Sequence, residues 1–194
     1  MRDPTTLLLD PPVARLLFQD TRLSPLWLII RVYVGWTWLN SGWGKIQNPA
    51  WMDTGQAILG FWKSAVAVPP QGSPRITFDW FRNFLQLLID TESHVWFGKL
   101  IAIGETSVGV ALILGAFVGI AAFFGATMNF SFLLAGTTST NPVLFLFAVL
   151  LMLAWKTAGY IGLDRFLLPL LGTPWQPIPL KRVRAAEDGR SAPG

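Results

Sequence analysis

The chain has 194 residues, 52% apolar and only 13% charged, with a mean hydropathy of +0.47, a balance that excludes an ordinary soluble domain and fits a multi-pass membrane protein. The formal net charge of +4 is thinly spread outside the extreme C-terminus, which argues against nucleic-acid binding and for topology and headgroup contact with membrane lipids. The absence of cysteine and the single histidine, His94, remove a disulfide relay, a thiolate nucleophile, a thiolate zinc site, an iron–sulfur cluster and a bis-histidine haem, so no haem, iron–sulfur or metal centre is expected on this chain.

Residues 1–24 read as an N-terminal interfacial segment. Pro4, Asp10, Pro11 and Pro12 interrupt any signal-peptide core, so the first residues are expected to stay on the mature chain. Val13, Leu16 and Leu17 with Arg15 predict a short interfacial helix there. Four apolar stretches follow, at 25–43, 96–114, 116–135 and 142–158, near the ~20 residues that cross ~30 Å of hydrocarbon. The loop at 44–95 carries two amphipathic runs, 51–68 and 78–89, separated by Pro69-Pro70-Gln-Gly-Ser-Pro74. They predict two short helices lying at the outer interface over the bundle. Gly115 and Gly119 allow a tight hairpin between the second and third stretches, and the polar turn at 136–142 starts the fourth helix at Asn141-Pro142. Residues 166–171 are expected to re-enter the interface, and 172–194 form a C-terminal tail, partly disordered by composition. The expected fold class is all-α: an integral membrane four-helix bundle over 25–171, up-down-up-down, with amphipathic interfacial helices in its long first loop. Lys and Arg are more frequent near the two ends than in that loop, which places both termini on the cytoplasmic side of a bacterial or archaeal cell membrane.

Between Lys99 and Lys156, Glu105 is the only side chain charged at neutral pH. A carboxylate in hydrocarbon costs on the order of several kcal/mol unless it is paired, hydrated or protonated, which makes Glu105 a candidate site residue. Arg31, Gly35, Trp38, Gly42 and Lys45 recur at steps of three and four along the first stretch, as do Gly98, Ala102, Glu105, Gly109 and Leu112 along the second. Gly115, Gly119, Ala122, Ala126 and Asn129 do so along the third. These small-residue faces let helices approach closely around an axis containing Arg31, Glu105 and Asn129. With the inner ends of the first two stretches set level, Arg31 and Glu105 fall within side-chain reach, and an Arg31–Glu105 ion pair is expected. It either fastens two helices or lines a cavity in which Glu105 exchanges a proton and Arg31 polarises a ligand carbonyl. Lys45, Trp43, Trp51 and His94 gather in sequence at the outer ends of the same stretches. With Trp38 and Asn129 they offer stacking faces and donors for a quinone head group or a sulfur oxyanion, or they form an aromatic belt with a snorkelling lysine.

The pattern Arg31-x3-Gly35-x3-Leu39-x-Ser41-Gly42-x2-Lys45, followed by Gly104-Glu105-x3-Gly109-x-Ala111-Leu112-x-Leu114-Gly115, resembles the DoxX/DoxD family of small four-span membrane proteins. Asn141-Pro142 and Ala158-Gly159-x2-Gly162-Leu163-Asp164-Arg165 extend the likeness toward the DoxD branch, the large subunit of thiosulfate:quinone oxidoreductase. The resemblance implies a quinone cofactor, electron transfer from thiosulfate to quinone with formation of tetrathionate, and a small DoxA-like partner, since no fused domain is expected after Arg165. By motif position it carries Arg31, Lys45 and Glu105 over as catalytic, with Asp164 and Arg165 marking the exit of the fourth span. Lys45 with Arg75 or Arg82 would attract a dianionic sulfur substrate. The alternative is a non-catalytic anchor or assembly subunit of a larger respiratory or photosynthetic membrane complex. A transporter using Glu105 as a proton site fits less well, because the sequence shows no apparent inverted repeat or broken helix.

Overall fold

In the computed structural model, residues 10–171 are described, and among them every regular element is helical. Proline and short polar caps start several elements. Pro12 opens α1 (Pro12–Gln19), Pro25 lies in the first turn of α2 (Ser24–Ile46), and the Asn48 side chain accepts from Ala50 N at 2.9 Å to start α3 (Pro49–Met52). The chain continues through α4 (Gln56–Val66), α5 (Asp79–Asp90), α6 (His94–Leu114), α7 (Val118–Leu134), α8 (Asn141–Leu153), α9 (Trp155–Ala158) and α10 (Asp164–Leu170).

Helix α2 packs along α6, α7 along α8, and α6 meets α7, around a core that includes Trp27, Val34, Trp38, Leu112, Ala122 and Leu151. The α2–α6 contact is backbone on backbone. A methyl on Gly109 would collide with Leu39 N, and one on Gly42 would lie 2.5 Å from Thr106 N, so only glycine allows this approach. A second core, with Ile58, Trp62, Phe81 and Leu85, seats α4 and α5 over one end of the bundle.

The outward faces are as apolar as the core: Ile29 and Trp36 on α2, Ile103 on α6, Phe123 and Phe124 on α7 and Leu146 on α8 are all exposed. Such a surface suits lipid rather than water. Among the described residues α6 is the one helix both long and apolar enough to cross a bilayer, with α7 and α8 as shorter apolar helices.

All four apolar stretches are helical, but the fourth, against the expectation of unbroken helices, is broken at Ala154, where α8 gives way to α9. The Thr157 hydroxyl reaches Ala154 O and Phe18 O, both at 3.1 Å, a back-bond that tightens this turn and ties it to α1. The long loop also departs from expectation, with three helices instead of two. Gly55, at φ +66°, separates α3 from α4, and its backbone lies so close to His94 O that no side chain fits. Trp51 therefore belongs to α3. The readings of 1–9 and of the tail at 172–194 lie outside the described residues.

Candidate functional site: a buried lysine–glutamate pair beside a cavity

Glu105 sits halfway along α6 with its side chain 1% exposed, and Lys45, from the last turn of α2, donates to its Oε2 at 2.6 Å. Gly42, one turn before Lys45, makes the pair possible by letting the Glu105–Thr106 backbone close against α2. The Lys45 ammonium also donates to Ser41 Oγ at 2.7 Å and lies 5.1 Å from the centroid of the Trp51 ring. One cation thus meets a carboxylate, a hydroxyl and an aromatic face, which together offset much of the cost of removing it from water.

The expected Arg31–Glu105 pair does not form. Glu105 is level with Gly42, and the eleven residues from Arg31 to Gly42 span about 16 Å of helix. The expectation set the ends of two helices level, whereas Leu39 opposes Gly109, so α2 runs past the end of α6 and carries Arg31 beyond Leu114 to the turn at Gly115. There the buried guanidinium donates to Ala158 O at 2.9 Å and Ile161 O at 2.8 Å. It also interacts electrostatically with Asp164.

Asp164 completes this second centre at the opposite end of the bundle. Its Oδ1 and Oδ2 accept from Phe117 N at 2.5 Å and Val118 N at 2.9 Å, capping α7 from 46 residues away in sequence. Gly159 and Gly162 leave room for it, since a methyl on either would lie within 2.6 Å of Asp164 Oδ2 or of Arg31 Nη1. Burial raises the Asp164 pKa, opposed by the two backbone donors and by Arg31.

Beside the Lys45–Glu105 pair lies a cavity of about 510 Å³. Trp38, Trp51, Phe61 and Phe132 form aromatic walls, and Thr37, Ser41, Thr137, Ser139, Thr140 and Asn141 supply hydroxyl and amide groups. Trp38 is 3% exposed, packs its indole against Gly125 and leaves Nε1 without a hydrogen-bond partner. Asn129, fully buried one turn farther along α7, lies outside the cavity lining, and neither of its amide atoms has a partner. Unsatisfied buried polar groups each cost roughly 1–3 kcal/mol, and of these two residues only Trp38 lines the cavity. The structure therefore gathers Lys45, Glu105 and Trp38 in one place. Arg31 stands apart, Trp43 is 54% exposed, and His94 opens α6 with Nδ1 unpartnered and away from the cavity. Sequence reasoning missed Thr37, Phe61 and Phe132. Thr37, Ser41 and Lys45 recur at four-residue steps, a polar stripe on an apolar helix that marks this wall.

The DoxX family model matches residues 26–138. The chain belongs to the DoxX family. It is a DoxX membrane protein whose matched span holds Arg31, Lys45, Glu105 and Asn129, while Asn141 and Asp164 lie beyond it. Comparison with curated proteins and with solved structures gave no match.

Proposed function

We propose that this DoxX protein is a quinone-linked membrane subunit that holds the quinone head group in the cavity beside Lys45 and Glu105. In this reading α2, α6, α7 and the α8–α9 segment each cross the bilayer, and both termini face the cytoplasm. One observation carries it: an ion pair with an enclosed carboxylate borders a cavity whose walls combine aromatic faces with hydroxyl and amide groups. A flat ring bearing two carbonyls needs that mixture, apolar surface for its faces and a small number of placed donors for its oxygens.

A bound quinone supplies a carrier for two electrons and two protons. Lys45 donates to a carbonyl oxygen while Glu105 balances its charge, and Ser41 holds the ammonium in position. Trp38 and Phe132 orient the ring, and the unpartnered Trp38 Nε1 is a donor still to be satisfied. A proton that Lys45 gives to the ligand would be restored to Lys45 from the hydroxyl-lined side at Ser139 and Thr140, while Glu105 stays ionised and balances the ammonium. The DoxD resemblance supplies the donor: two thiosulfates joined as tetrathionate release two electrons, with a DoxA-like partner taking part.

The test is thiosulfate-dependent quinone reduction in membranes containing the chain, with and without candidate small partners. Lys45→Gln and Glu105→Gln are each expected to lower the rate roughly ten-fold or more, the loss of one charged hydrogen bond at the site, at unchanged protein level. Rates equal to wild type in both variants overturn the reading, and an absence of both turnover and quinone binding leaves an anchoring subunit in its place.

A further inference from the structure

The cavity is bounded unequally. The α2–α6 side is sealed by the glycine contacts at Gly42 and Gly109, and α7 packs along α8, whereas α2 and α8 touch sparsely. The cavity wall crosses that sparse seam, with Thr37, Asn40 and Ser41 from α2 facing Asn141 and Leu144 from α8. Asn40 and Ser41 are exposed there, as is Thr140 just before α8, which is unusual for polar groups on helices whose other outward residues are apolar. About one turn farther from the cavity mouth, Tyr33 of α2 and Phe147 of α8 meet edge to face, with ring centroids 6.0 Å apart. Exposed apolar side chains accompany that pair along the two helices, Ile29 and Trp36 on α2 and Leu146 on α8.

We infer that the α2–α8 seam is a lateral portal, and that the ligand is a long-tailed, lipid-borne quinone. Its head passes between Asn40 and Asn141 into the cavity, and its isoprenoid tail stays outside on Tyr33 and Phe147. The inference rests on the quinone reading of the cavity and adds a route and a tail site to it. Polar groups at the opening exchange hydrogen bonds with the head as it leaves the headgroup region, and the aromatic pair gives the tail a surface to lie on.

Two measurements on the full-length protein in lipid vesicles separate the portal from the site. Quenching of tryptophan fluorescence by a tailless benzoquinone reports the head site. A long-tailed quinone carrying a diazirine on its tail, followed by peptide mapping, reports where the tail lies. The expected result is saturable quenching together with labelling of α2 near Tyr33 and of α8 near Phe147, both competed by unlabelled long-tailed quinone. The Tyr33→Ala, Phe147→Ala double variant is expected to bind the long-tailed quinone roughly five-fold more weakly and the tailless one within about two-fold of wild type. Competable labelling on the α6–α7 face or on α4 and α5, or an unchanged preference for the tail in the double variant, overturns the portal and leaves the head site standing. Unsaturable quenching by the tailless quinone overturns the head site and the portal with it.

Discussion

Lys45 Nζ stands 2.6 Å from Glu105 Oε2, with the glutamate side chain 1% exposed and the lysine side chain 17% exposed. The pair is asymmetric: the carboxylate is enclosed, and the ammonium retains the open side. Both residues line the cavity, with Lys45 the more exposed of the two.

Removal of the lysine alone strands a charge. Lys45→Met is expected to destabilise the protein by about 3–5 kcal/mol, and Lys45→Met combined with Glu105→Leu to recover most of that loss, because an apolar pair carries no desolvation penalty. Thermal unfolding in detergent of the single and double variants checks this. A double variant no more stable than Lys45→Met would show that Glu105 has another partner.

Arg31 and Glu105 have separate partners, whereas Arg31 and Asp164 share one centre and interact electrostatically. A double-mutant cycle of Arg31→Leu with Glu105→Gln is expected to be additive within about 0.5 kcal/mol, and one of Arg31→Leu with Asp164→Asn to show a coupling of about 1 kcal/mol or more. Coupling in the first cycle and additivity in the second would restore the pairing expected from sequence.

The contrast between these two centres shows what the sequence discloses. The faces buried in α2 and α6 follow the small-residue stripes: Arg31, Gly35, Trp38 and Gly42 on one, and Gly98, Ala102, Glu105, Gly109 and Leu112 on the other, are all buried. Periodicity fixes a face because 3.6 residues make a turn, but it says nothing of how far one helix slides along its neighbour. Level helix ends give the wrong axial register, because Leu39 opposes Gly109, and with it the wrong partner for Glu105. Asp164 was legible only as a charge after Gly159 and Gly162. Its role as the cap of α7 depends on a tertiary contact across 46 residues. Phe61 and Phe132 meet at 6.1 Å only because α4 folds back over the end of α7, a packing that no local pattern encodes.

Asp164 makes stability depend on pH. Its pKa is raised in the folded protein by burial, so the folded state holds its proton more tightly than the unfolded chain does. Its contribution is fully present below the unfolded carboxyl value of about 4 and is lost as pH rises through the higher folded value. Chemical unfolding across that window should show this decline in wild type and its removal in Asp164→Asn. Asp164→Ala, which leaves Phe117 N and Val118 N without an acceptor, is expected to cost about 1–3 kcal/mol at every pH. A pH slope that survives in Asp164→Asn would assign it to another group.

Close helix approach gives a paired test on glycines. Gly109→Ala forces a methyl into the α2 backbone and is expected to destabilise by about 1–3 kcal/mol, whereas Gly60→Ala, with open space around it on α4, should be neutral or stabilising by up to about 1 kcal/mol. Thermal midpoints that shift equally for both would contradict the backbone contact between α2 and α6.

The proposed quinone head-group site beside Lys45 and Glu105 is open to a binding measurement. A titration of the protein in lipid vesicles with a tailless benzoquinone, read by quenching of tryptophan fluorescence, tests it most directly. Saturable quenching is expected in wild type and in Trp96→Phe, which removes an exposed indole of α6 outside the cavity lining, with affinity roughly ten-fold weaker in Lys45→Gln. Quenching that never saturates, or that saturates at the same concentration in Lys45→Gln as in wild type, would contradict it.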